Sequence, residues 1–78
     1  MRVRSIDHDG AEFPYLQLAA ILRDAIADGT YPRGRKLPSN LDLVEETGLS
    51  PMTIRRAMRV LAEEGLVRII PGRGTYVA

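Results

Sequence analysis

The chain has 78 residues, 45% of them hydrophobic, a formal net charge of +1, one histidine and no cysteine. That length holds one small domain with one core, and the missing cysteines exclude a disulfide framework or a Cys/His zinc cluster, so packing alone must hold the fold. No apolar run approaches the roughly 20 residues of a membrane span, and the opening MRVRSIDHDG lacks the apolar stretch of a signal peptide; the expected location is cytoplasmic, with no membrane partner and no cofactor.

Residues 1–12 mix Arg2, Arg4, Asp7, His8, Asp9 and Glu12 without apolar periodicity, and are expected to form a flexible N-terminal arm ahead of a domain at 13–78. Arg2 and Arg4 would either reach a phosphate backbone or minor groove or simply keep the arm solvated. His8 has no companion ligand or nucleophile and reads as a solvated side chain.

From Pro14 to Asp28, Leu18, Ile21, Leu22, Ala25 and Ile26 recur at three- and four-residue steps, which predicts a packing helix ended by Gly29. A turn at 30–34 leads to a short extended piece, Arg35-Lys36-Leu37, and then to Pro38. Ser39 is expected to cap a second helix, with Asp42 as the reciprocal acid of a capping box. In that helix Leu43 and Val44 face inward, while Asp42, Glu45 and Glu46 make an acidic outer surface. Such a helix can meet a DNA backbone only at its N-terminal end, where the helix dipole favours phosphate.

Thr47-Gly48-Leu49-Ser50 joins this helix to a third. Gly48 can take the left-handed conformation that closes a helix, Ser50 can cap the next one, and Pro51 suits its first position. The third helix puts Ile54, Ala57, Met58 and Leu61 on its core side, leaving Met52, Thr53, Arg55, Arg56 and Arg59 outward, and Gly65 stops it. Two β-prone runs, 66–70 and 75–77, then flank Pro71-Gly72-Arg73-Gly74 as a hairpin. The expected fold is α+β, a winged helix-turn-helix: three helices followed by a β-hairpin wing.

Dividing the chain after Ser50 makes the charge informative. Residues 1–50 carry six basic and eight acidic side chains, whereas residues 51–78 carry five arginines against Glu63 and Glu64, a balance of +3. Positive charge on the third helix and the hairpin is the footprint of a DNA-facing surface. Arg55, near the start of the helix, matches the O6/N7 acceptors of guanine in a major groove. Arg56 and Arg59 cannot also reach base edges at once, so some of the three must serve phosphate; Arg59 alternatively pairs with Glu63 four residues on. Met52 and Thr53 offer an apolar tip and a hydroxyl to bases. Gly72 and Gly74 around Arg73 do not suit a nucleotide-phosphate loop, which needs a Lys-Ser/Thr pair or a following helix, but they suit a wing tip whose arginine enters a narrow groove.

The set Leu37-Pro38-Ser39, MTIRRAM, EEGLV and GRGTYVA resembles the N-terminal DNA-binding domain of the GntR family of bacterial transcription regulators, from about Tyr15 onward. The resemblance implies Thr53 and Arg55 facing bases, Ser39 and Ser50 at helix starts near phosphates, and Gly72 at a wing tip in the minor groove. It also implies a domain that reads a palindromic operator as part of a longer homodimeric parent with a C-terminal effector domain, whereas the 78-residue chain by itself is expected to be monomeric. Where the family commonly has arginine, this chain has Leu41 and Pro51, so its operator cannot be copied from other members. The expected function is sequence-specific binding of double-stranded DNA by the operator-reading domain of a regulator, a repressor. The competing class is a winged-helix module that binds protein. An enzyme is not expected, because the chain offers no nucleophile-base pair and no concave site.

Overall fold

The computed structural model describes residues 6–78 and contains α1 (Pro14–Ala27), α2 (Asn40–Thr47), α3 (Pro51–Glu63), β1 (Val67–Ile70) and β2 (Gly74–Val77). Arg2 and Arg4 lie outside the described residues. The strands pair antiparallel, with Val67 opposite Val77 and Ile70 opposite Gly74, so three helices and a hairpin form the expected winged architecture.

Each helix begins and ends for a local reason. Pro14 fixes the first turn of α1. The Ser39 hydroxyl accepts from the Asp42 N–H at 3.0 Å and the Ser50 hydroxyl from the Thr53 N–H at 3.2 Å, capping α2 and α3. Among the described residues the Asp42 carboxylate returns no bond to Ser39, so only half of the expected capping box forms. Gly48 closes α2 at φ 73°, a left-handed conformation, with its N–H on the Val44 carbonyl. Thr47 adds two bonds that its sequence position did not signal. Its hydroxyl donates to the Leu43 carbonyl at 2.6 Å and accepts from the Leu49 N–H at 3.1 Å, bracing the corner between the two helices.

The core lies where α1 meets α3. Leu18 and Leu22 of α1, Leu43 of α2, and Ile54, Met58 and Leu61 of α3 are fully buried, and Leu37, Leu49, Val67 and Val77 close the cluster from the loops and the hairpin. Tyr31 packs against this core and its hydroxyl is buried without a hydrogen-bond partner among the described residues; burial, and secondarily the charge of Glu46, raises its pKa.

Two connections depart from the sequence expectation. Residues 6–12 are held to the domain, whereas low periodicity suggested a segment with little structure. Ile6 is buried in the core cluster, and the Gln17 amide accepts from the Asp7 N–H while donating to the Asp7 and Glu12 carbonyls at 2.8 and 2.7 Å. One apolar residue and one amide suffice, and neither produces a period. The extended piece before Pro38 also does more than connect. Leu37 donates to the Thr75 carbonyl at 2.8 Å, and Val77 donates to Arg35 at 2.9 Å, so residues 34–37 line the free edge of β2.

At the far end, Arg23 of α1 grips Glu64 with two parallel bonds of 2.8 and 2.7 Å. Those bonds hold the Glu64 carboxyl below its usual range, so the stability they add is lost as pH falls through that lowered value. Burial separates two leucines of identical chemistry: Leu22→Ala should lower the unfolding free energy by about 2 to 5 kcal/mol. Leu41→Ala, at a side chain 67% exposed, should stay within about 0.5 kcal/mol of the parent. Urea denaturation of both variants checks the placement of the core.

Candidate nucleic-acid interface

The amphipathic split of α3 builds the main surface. At 3.6 residues per turn, Met52, Arg55, Arg56 and Arg59 fall within an arc of about 100°, opposite Ile54, Ala57, Met58 and Leu61. The four outward residues are exposed, Met52 to 71%, and together they line one shallow groove. Their order across the arc matters. Arg55 and Arg56 stand at opposite edges, with Met52 and Arg59 between them.

The sequence candidates on this helix do not share one environment. Arg56 lies against α1, its guanidinium carbon 4.2 Å from the centroid of the Tyr15 ring. Arg55 and Arg59 have no such partner among the described residues, and the alternative ion pair of Arg59 with Glu63 does not form; the neighbouring Glu64 is engaged by Arg23. Thr53 is half-buried, and its hydroxyl lies 2.9 Å from that of Ser50, so it shares the cap that starts the helix.

The second part of the surface joins the start of α2 to the wing. Ile70-Pro71-Gly72-Arg73 forms a turn closed by the Arg73 N–H on the Ile70 carbonyl at 3.0 Å, with Gly72 at φ 76°, as a proline-glycine pair at the centre of a turn requires. This brings Gly72 and Arg73 to the same open cleft as Ser39. Sequence reasoning did not single out two further residues of that cleft, Lys36 and Asn40. Lys36 reaches it because Gly74 lacks a side chain: a Cβ there would come within 2.5 Å of the Lys36 Cε. The available signal was alternation in the extended piece, since burying Leu37 turns Lys36 to the opposite side. Phe13 and Tyr15 were likewise not anticipated as surface features; their rings stack with centroids 6.2 Å apart beside Arg56.

These elements present exposed arginines on one face of α3 and on the wing turn, and the wing turn shares an open cleft with the start of α2. The acidic residues Asp42, Glu45 and Glu46 are exposed along α2. The arrangement can receive a polyanion at the ends of the elements.

Residues 14–77 match the family described as bacterial regulatory proteins, gntR family. The chain is 38% identical over 63 residues to the HTH-type transcriptional regulator GgaR of Escherichia coli (strain K12), covering 81% of this chain and 25% of that protein. It is 39% identical over 64 residues to the histidine utilization repressor of Pseudomonas putida, covering 82% and 26%. The chain therefore spans about a quarter of the length of these relatives. Among solved structures, the DNA-binding domain of AraR in complex with operator ORX1 superposes with a TM-score of 0.89 at 28% identity, over 100% of this chain and 99% of that one. The chain belongs to the gntR family of bacterial regulatory proteins.

Proposed function

We propose that this chain is the operator-reading domain of a bacterial transcriptional repressor, binding duplex DNA with α3 in the major groove and the wing against an adjacent minor groove. The observation that carries the reading is the exposed basic face of α3, set opposite its core face, together with an exposed Arg73 on the wing. The solved relative with bound operator and the relatives named as repressors support it.

In this reading Arg55 forks onto a guanine, while Met52 and Thr53 meet neighbouring base edges. Arg56 and Arg59 serve phosphate, Ser39 and Ser50 sit at helix starts beside the backbone, and Gly72 lets Arg73 approach the narrow groove. Lys36 joins Ser39 at the backbone. The cytoplasm is the proposed location, and a palindromic operator read by a homodimer of the longer parent is the proposed assembly.

Three measurements test this reading. Neutralising about three to five phosphates gives a log-log salt slope of roughly −3 to −4.5, and salt-independent binding, or none at low salt, would overturn it. Arg55→Ala should cost about 1 to 3 kcal/mol and relax preference at one base pair. Arg73→Ala should weaken all sequences alike, and selection from random DNA with each variant separates the two effects. Finally, the 78-residue chain should sediment as a monomer and bind one operator with micromolar affinity, on the order of 10² to 10⁴ more weakly than two tethered copies on a palindrome. A stable dimer of the chain at micromolar concentration would contradict that expectation.

A further inference from the structure

Of the three arginines of α3, Arg56 alone among the described residues rests on an aromatic ring. Its guanidinium sits over the face of Tyr15, 4.2 Å from the ring centroid, and the Tyr15 ring is itself stacked on Phe13 at an interplanar angle of 18°. Tyr15 belongs to the first turn of α1. A cation over an aromatic face is held by the ring quadrupole, and the hold leaves the N–H groups of a guanidinium free to donate. Arg56 is thus a charged donor with restricted rotamers, fixed at the edge of the α3 face nearest α1. Arg55, at the opposite edge, and Arg59, on the midline, have no comparable support among the described residues.

We propose that Tyr15 is a positioning residue for DNA binding: it holds Arg56 at the flank of α3 as a preset phosphate clamp and so keeps this arginine out of base reading. The inference rests on the functional reading above. The geometry supplies two reasons. A guanidinium tied to the Tyr15 ring is held toward α1 and away from the floor of a groove that α3 enters, whereas Arg55, with no such tether among the described residues, can turn inward from the other edge toward base edges. Prior ordering also removes entropy loss on binding, which for a long side chain amounts to a factor of about two to ten in affinity. Tyr15 raises affinity in this way with no contact of its own to DNA.

A double-mutant cycle on operator binding tests the assignment. Arg56→Ala should weaken binding and make the log-log salt slope about 0.9 less steep, leaving base preference unchanged. Tyr15→Leu keeps every charge and should weaken binding about two- to tenfold with the slope unchanged. Tyr15→Leu should cost nothing further once Arg56 is alanine, and Tyr15→Phe should retain the coupling. Independent of any variant's folding, nitrogen-15 relaxation of the free chain should find the Arg56 Nε–H more ordered than those of Arg55 and Arg59. Equal Tyr15→Leu losses with and without Arg56, an Arg56→Ala variant that changes base preference, or equal mobility of the three arginines would each overturn the assignment. If the unmodified chain failed to bind DNA, the functional reading would fall and the assignment with it; binding with additive losses would remove the assignment alone.

Discussion

The arrangement depends on one constraint: α3 must bury one face against α1 while presenting the other to solvent. Ile54, Ala57, Met58 and Leu61 satisfy the first demand so fully that the helix cannot rotate without exposing them. A rotation of one residue position, about 100°, would bring charged side chains into a core made of leucine, isoleucine and methionine. The direction in which Arg55 and Arg59 point is therefore set by hydrophobic burial on the far side of the helix. Gly48 and the two bonds of Thr47 fix the remaining freedom, the angle at which α2 hands over to α3.

Much of this was legible because it depends on local rules. The helical period of residues 14–28, the Ser39 and Ser50 caps, the Gly48 turn and the Pro-Gly turn of the wing all follow from side-chain chemistry within four or five positions, and α1, α3 and the hairpin end within one or two residues of where those rules put them. The unread parts are contacts between segments far apart in sequence. Gln17 clamping Asp7 and Glu12, Arg23 reaching Glu64, and Leu37 pairing with Thr75 each need a tertiary neighbour that no period announces. The α3 face was legible as a set. The separate standing of Arg56 was not, because what distinguishes it is a tyrosine 41 positions earlier. Lys36 was missed for a related reason, since its access depends on the empty space at Gly74.

Charge is arranged by element ends more than by whole faces. The outer surface of α2 is acidic, yet its first turn lies beside Lys36 and Arg73 at the wing. A duplex that followed the length of α2 would meet repulsion from Asp42, Glu45 and Glu46. One that crossed only its start would meet Ser39, the dipole and two cations. On the proposed reading the acidic residues would discriminate among docking angles, which a uniformly basic domain of this size would not do.

The pairing of residues 34–37 with β2 carries a mechanical consequence. An isolated two-stranded hairpin twists and bends easily, but here its second strand is gripped on both edges, and the third segment runs directly into Ser39 at the head of α2. Wing and helix start then behave as a single stiff caliper with a fixed gap. If wing and helix start dock on a duplex as proposed, such a caliper would adapt little to variations in groove width, and the deformation energy would fall on the nucleic acid. Base steps that never touch a side chain would then enter the choice of site through their flexibility.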